Sequence, residues 1–196
     1  VPHQLNLLRI TSYTSGIALI NGFMWDGDEG VLSGGKGTAK GFLNTNNIVR
    51  ARNTDAGAGN KLTFGVSSTK ALGFFETSSS SYNFQSYGYN LISSSTSVVK
   101  NGVCTTSSEN SRWSAIGGNP STGEIVMISS TSSGTTTAAN LCPIFQAFGI
   151  NNALRLDGGP SAAMVISGVH LNPLTGPYYL KYGNSRYIPY PIRVGN

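Results

Sequence analysis

The sequence predicts an α+β domain built on a mixed, mostly antiparallel β-sheet core with few helices. Three observations carry that expectation. Short runs of alternating apolar and β-branched residues recur along nearly all of the 196 residues. Polarity comes from 26 Ser, 17 Thr and 18 Asn, with 25 Gly, while charged residues are only 11% of the chain. An average soluble domain carries about 25%, so a coiled coil or long-helix protein is excluded. One segment alone shows a helical period. The length suits a single domain, 1–196, and its 39% hydrophobic content is enough to bury a core without metals or disulfides. No internal repeat or linker is visible.

The strands expected in order are Gln4–Ile10, Gly16–Phe23, Lys61–Val66, Ala71–Phe75, Ser97–Val103, Ser114–Gly118, Glu124–Ser129, Asn152–Leu156, Ala162–Ser167 and Tyr187–Val194. Asn119-Pro120-Ser121-Thr122-Gly123 reads as a hairpin-type turn, and Ile166-Ser167-Gly168-Val169 as another. The helix falls between Thr135 and Gly149. Ala138, Leu141, Ile144, Phe145 and Phe148 recur at helical spacing, Thr135, Thr136 and Thr137 offer N-caps, and Gly149 supplies the stop. Pro143 lies inside the pattern and should kink the helix or delay its start. Gly27–Gly41 and Thr77–Gly88 read as loops. The second carries Tyr82, Phe84 and Tyr87, which could stack on sugar rings or pack on the loop itself.

The net charge of +5 is spread over the chain without a basic run, so no nucleic-acid partner is expected. The excess reads as mild attraction to anionic substrates, or as nothing. No apolar stretch reaches the ~18 residues of a membrane span, and because Val1 opens into folded-looking sequence no signal peptide is expected within it. Cys104 and Cys142 show no zinc spacing. They could form one disulfide or remain two buried thiols, and the reading leans to thiols. The low-charge, Ser/Thr/Asn/Gly-rich composition resembles that of secreted, cell-surface or virion-surface proteins.

Of four aspartates, Asp26, Asp28 and Asp55 lie in Gly-rich or polar loops. Asp157 ends the apolar run Asn152-Ala153-Leu154-Arg155-Leu156 and precedes Gly158-Gly159-Pro160-Ser161, after which the apolar run Ala162–Ile166 begins. A carboxylate is thereby set at a strand end, on a glycine turn that a ligand can approach closely. Ser161 could donate into the same space. An Asp-Gly turn joining two hairpin strands is the plainer reading of this local pattern.

The run Asn151-Asn152-Ala153-Leu154-Arg155-Leu156-Asp157-Gly158-Gly159-Pro160-Ser161-Ala162-Ala163-Met164-Val165 resembles the signature of the phosphodiester glycosidase family. Other elements match in order: Ala18-Leu19-Ile20-Asn21-Gly22-Phe23-Met24, Val99-Lys100-Asn101-Gly102, Arg112-Trp113-Ser114-Ala115-Ile116-Gly117 and Ser185-Arg186-Tyr187-Ile188-Pro189, with the helix before the signature. The likeness spans nearly the whole chain. Arg155, Pro160, Trp113 and Met24 depart from the family pattern. These departures bear on the substrate more than on the fold, and leave a non-catalytic relative open.

The resemblance implies a phosphodiester-glycosidase-like fold and hydrolysis of a glycosyl phosphodiester, a sugar-1-phosphate diester, in an extracellular glycan. Such a reaction must hold a phosphate, support an oxocarbenium-like transition state and activate water or supply a nucleophile. On that basis Asp157 is the expected catalytic carboxylate. Arg112 and Arg186 are the expected phosphate ligands, because a guanidinium fork matches phosphate oxygens. Asn21, Ser161 and the Gly158 and Gly159 backbone would orient sugar or phosphate. Glu76, Glu109 and Glu124 are candidate second carboxylates. His170, beside Leu171-Asn172-Pro173, could act as acid or base, or sit at the rim. No cofactor is expected; no metal-ligand cluster is legible, which leaves a divalent cation open. The partner is a glycan or glycosyl phosphodiester, and self-association stays open. Two alternatives stand beside the enzyme: a catalytically silent carbohydrate-binding protein, and a structural subunit of a virion or surface assembly.

Overall fold

A computed structural model describes residues 61–77 and 97–177 continuously, with 4–6, 8–9, 18–22, 25–26, 36–39, 42–45, 48–52, 89–93, 180, 187–188 and 191–194. In chain order the strands are β1 (Gln4–Asn6), β2 (Leu8–Arg9), β3 (Ala18–Asn21), β4 (Trp25–Asp26), β5 (Lys36–Ala39), β6 (Phe42–Thr45), β7 (Ile48–Arg52), β8 (Lys61–Ser67), β9 (Leu72–Thr77) and β10 (Tyr89–Ser93). They continue as β11 (Ser97–Lys100), β12 (Val103–Cys104), β13 (Trp113–Asn119), β14 (Glu124–Ser129), β15 (Asn152–Gly158), β16 (Met164–Ile166), β17 (Val169–His170), β18 (Tyr187–Ile188) and β19 (Pro191–Val194). The helix that packs on the central sheet is α1 (Ala138–Ala147), and residues 176, 177 and 180 are also helical. The α+β expectation holds, and every pairing described is antiparallel.

Three sheets position the candidate site. The central one runs β12-β11-β15-β13-β14, a second runs β7-β6-β10-β8-β9, and a third runs β17-β16-β3-β19. The central sheet is covered on both faces, which is why β13 and β15 read as near-continuous apolar runs. On one face Ile116, Leu154 and Leu156 pack with Leu62, Phe64 and Leu72 of the second sheet and Ile20 and Met164 of the third. On the other face Val98, Val99, Trp113, Ala115 and Ala153 pack under Ala138, Leu141, Cys142 and Phe145 of α1.

The helix obeys its sequence signals with one difference. Thr137 is the N-cap, its hydroxyl accepting from the Asn140 amide, and Gly149 follows the last turn at φ +69°. Pro143 neither ends nor delays the helix. It removes one intrahelical donor, and the buried face of Leu141, Cys142 and Phe145 holds the helix through that loss. The turn at Ser167-Gly168, with φ +47° and +80°, joins β16 to β17 as expected.

Four differences follow from forces that the one-dimensional pattern does not carry. Lys36–Ala39, placed in a loop by its composition, is a strand paired with β1 and β4; pairing outweighs its weak propensity. The strands β6, β7 and β10 join the second sheet without a legible alternation. The expected strand Ser97–Val103 breaks at Asn101-Gly102, both at positive φ, into the hairpin β11–β12. Finally, the cysteines are not thiols: Cys104 of β12 and Cys142 of α1 form a disulfide across 38 residues. The aromatic stretch with Tyr82, Phe84 and Tyr87 lies outside the described residues.

Candidate active site

Strand β15 delivers Asp157 through an irregularity. Arg155 stands opposite Ala115 and Gly158 opposite Trp113, so Leu156 and Asp157 together face the single residue Ser114. This is a β-bulge, one extra residue in β15, and it breaks the two-residue alternation that runs from Ala153. Unbroken, the alternation would set Asp157 on the α1 side of the sheet with Ala153 and Arg155. The half-buried Asp157 accepts from the Gly158 amide at 2.9 Å through Oδ1, while its own amide donates to the Gly22 carbonyl at 2.9 Å.

The two glycines are required for different reasons. A Cβ on Gly158 would lie 2.2 Å from the Trp113 ring and 2.6 Å from the Arg112 carbonyl, so no side chain fits. Gly159 sits at φ +56° and opens the short 3-10 turn Gly159–Ser161. Its amide donates to the Arg112 carbonyl at 2.8 Å. Both glycine amides are thus engaged within the protein. Ser161 is buried inside the turn.

The structure brings Asn21, Arg112, Asp157, Gly158, Gly159 and Ser161 together around one turn, though they span much of the sequence. It arranges most of them as a frame beneath the surface. Asn21 and Arg112 are each 1% exposed. Asn21 donates through Nδ2 to the Asp157 carbonyl at 2.8 Å and accepts at Oδ1 from the Ala163 amide at 3.0 Å. A single side-chain amide therefore ties both flanks of the turn to β3. Arg112 donates through Nε to the Thr131 carbonyl at 3.2 Å, and through Nη2 to those of Ala162 at 3.0 Å and Asn172 at 3.1 Å. A guanidinium gripping three carbonyls at that depth holds backbone, a task other than the phosphate ligation expected of it. Arg186 lies outside the described residues.

Of the candidate second carboxylates, Glu109 is the one tied to this neighbourhood. Its carboxylate pairs with Arg155 at 3.0 Å, and its carbonyl accepts from Trp113 Nε1 at 3.2 Å. The Arg155 guanidinium lies over the Trp113 ring, 3.8 Å from the centroid. Two departures from the family pattern, Arg155 and Trp113, are therefore in contact, and the same Trp113 ring packs closely on Gly158. Glu124 is exposed and accepts from Thr122, and the side chain of Glu76 is outside the described set. His170 is half-buried beside Arg112. Loss of hydration and then the guanidinium charge lower its pKa below the usual 6.5, which keeps it neutral near pH 7. Its Nε2 makes no hydrogen bond among the described residues.

Asn172 carries no strong sequence signal beyond standing before Pro173, yet it is buried and its carboxamide bonds the Met164 amide, Ser129 Oγ and the Ser130 and Ala162 carbonyls. Among the described residues no group of three or more metal-ligating side chains occurs, and no helix is long and apolar enough to cross a membrane.

The sequence profile of phosphodiester glycosidases matches residues 15–192. Among solved structures, the zebrafish N-acetylglucosamine-1-phosphodiester alpha-N-acetylglucosaminidase catalytic domain, auto-inhibited by its pro-peptide, superposes with a TM-score of 0.63 at 16% identity, covering 92% of this chain and 64% of that one. A hypothetical protein from Synechocystis gives a TM-score of 0.56 at 12% identity, covering 98% of this chain and 55% of the other. At these identities the likeness is one of fold, and this chain spans about two-thirds or less of either neighbour. No curated protein matches the sequence.

Proposed function

This chain belongs to the phosphodiester glycosidase family, and from that premise we propose that it hydrolyses the bond between an anomeric carbon and the phosphate of a sugar-1-phosphodiester. Membership supports a hydrolytic role of this general class. The observation that carries the finer reading is the placement of Asp157: a half-buried carboxylate on a bulge near a strand end, beside a glycine turn.

In this reading Asp157 is the catalytic carboxylate, acting on the anomeric carbon or on the attacking water. The leaving phosphomonoester is already a weak base, so the reaction needs less help from a general acid than release of a sugar alcohol does. Asn21 and Arg112 hold the turn, in which Ser161 is buried, and pre-organisation of this kind keeps a reacting carboxylate within a fraction of an ångström of its working position. Gly158 lets the turn pack directly on the Trp113 ring and the Arg112 carbonyl, and Gly159 supplies its positive φ. The phosphate-binding role is proposed for Arg186, and Arg112 contributes positive charge from below the turn. The extracellular or surface setting belongs to the same proposal, supported by the Cys104–Cys142 disulfide, a bond that persists in oxidising compartments.

The test is a panel of sugar-1-phosphodiesters hydrolysed in ¹⁸O-labelled water, with products read by mass spectrometry. Label in the released sugar, with an unlabelled phosphomonoester, is the expected result. Label in the phosphate would mean cleavage at phosphorus and would contradict the glycosidase reading, as would binding across the panel with no product.

A further inference from the structure

Asn172 lies beyond the signature, and its polar groups are directed at the signature or at the strand behind it. Its Oδ1 accepts from the Met164 amide at 2.8 Å. Its Nδ2 donates to Ser129 Oγ and to the Ser130 carbonyl, both at 2.7 Å, with the Ala162 carbonyl at 3.4 Å. Its main-chain carbonyl accepts from Arg112 Nη2 at 3.1 Å, the same nitrogen that reaches the Ala162 carbonyl. The residue is 4% exposed and so does not face a substrate.

Two routes lead from this amide to Asp157. Along the chain, Ala162, Ala163 and Met164 form the exit from the catalytic turn. Asn21 grips Ala163 and Asn172 grips Met164, so consecutive amides are held by two different asparagines. Across the sheet, Ser129 Oγ lies 3.0 Å from Ser114 Oγ, and Ser114 is the residue that opposes the bulge carrying Asp157. The chemistry of the position is narrow. It needs an acceptor for an obligatory amide donor and donors for a carbonyl and a hydroxyl, and a carboxamide supplies both at once. Aspartate would keep the acceptor and lose the donors; alanine would lose all of them.

We propose that Asn172 is a positioning residue of the active site, fixing the Asp157 turn against β14 and β16 and acting on turnover through Asp157. The inference rests on the reading of Asp157 given under the proposed function.

The experiment uses the full chain and a named probe, N-acetylglucosamine 1-phosphate esterified to 4-nitrophenol, with released 4-nitrophenyl phosphate developed by a phosphatase. Asn172→Ala, Asn172→Asp and Ser129→Ala are compared with wild type for kcat, KM and the pH profile. Amide hydrogen exchange is measured in parallel. Displacing a reacting group by about 1 Å costs on the order of 100-fold, so Asn172→Ala should lose roughly that in kcat while KM moves little. Exchange should rise at Gly159 and Met164 and stay at wild-type rates in α1 and β8–β9. Asn172→Asp should fall between and shift the pH profile, because it sets a carboxylate near Arg112 and the turn. Ser129→Ala removes one of the Asn172 hydrogen bonds and the contact with Ser114 and should show a smaller fall of the same kind, which keeps the inference testable if Asn172→Ala folds poorly. Wild-type kcat and wild-type exchange at Met164 in Asn172→Ala would overturn it. So would a loss matched by exchange rising equally in α1 and β8–β9, which marks a purely structural role. Wild-type inactivity on the probe, with the local exchange response intact, would overturn the catalytic reading while supporting the hold of Asn172 on the turn, so the two failures stay distinct.

Discussion

At its Asn152 end β15 lies beneath α1, where Ala153, Ile150 and Phe145 share an apolar cluster and the Cys104–Cys142 disulfide bonds the helix to the edge strand. At its Asp157 end the same strand is held by Asn21, which donates to the Asp157 carbonyl, and the exit from the turn that follows is gripped at Ala162 and Met164 by Arg112 and Asn172. Apolar burial is strong and non-directional, so it stabilises the fold and tolerates small shifts. Each buried hydrogen bond contributes only about 1 kcal/mol net, but it is directional and costly to leave half-made. The difference teaches that stability and geometric precision are lodged at opposite ends of one strand. Substitutions at the two ends should therefore separate loss of stability from loss of turnover.

The largest effect on stability is expected at the apolar end. Removing the disulfide with paired Cys104→Ser and Cys142→Ser should cost about 4 kcal/mol on the chain-entropy estimate for a loop of this length. Thermal melts should show that loss, with turnover per folded molecule near wild type well below the melt. Equal loss of turnover would join the two ends and break the comparison. Gly158→Ala should do the converse. Its methyl group meets the Trp113 ring and the Arg112 carbonyl, and overpacking of this kind typically costs about 1–3 kcal/mol. Turnover should fall far more than that stability change accounts for, measured as rate at matched folded fraction.

The smallest effect is a pH dependence at the site end. The pKa of His170 is lowered in the folded state by burial and then by Arg112. Between that lowered value and the usual 6.5 the unfolded chain binds the extra proton, so stability rises with pH through the window and is level above it. Acidifying from pH 7.5 to 5 should thus destabilise wild type more than His170→Gln. Parallel denaturation curves for the two proteins would remove His170 from the account.

How much of this was legible in the sequence follows the same division. The helix over Ala138–Ala147 could be read because packing imprints a period on the chain, and Glu124–Ser129 matched to the residue because hairpins leave a turn and an alternation. The glycine turn at Asp157 is local and reads as a turn, while the singling out of Asp157 itself rests on the resemblance of the run around it to a family signature. The frame around it was harder to read. Asn21 and Arg112 were singled out by resemblance, but for contact with substrate, since no local pattern tells an arginine that grips phosphate from one that grips three carbonyls. Asn172 shows no local pattern, because a buried carboxamide is defined by its partners, of which Ser129 and Ser130 lie 43 and 42 residues away. The bulge at Leu156–Asp157 was invisible for the same reason: a bulge exists only relative to its partner strand. The Cys104–Cys142 pairing likewise depends on β12 and α1 meeting in space.

The central claim is that Asp157, held by this frame, carries the chemistry. The direct measurement is turnover by Asp157→Asn on the sugar-1-phosphodiester that the wild-type protein hydrolyses best, with the melt of both proteins recorded alongside. The amide keeps the shape and the acceptor for the Gly158 amide while removing basicity and nucleophilicity. A melt close to wild type with kcat reduced by about 10²–10⁴-fold is the predicted result. Near-normal turnover by a folded Asp157→Asn protein would contradict the account.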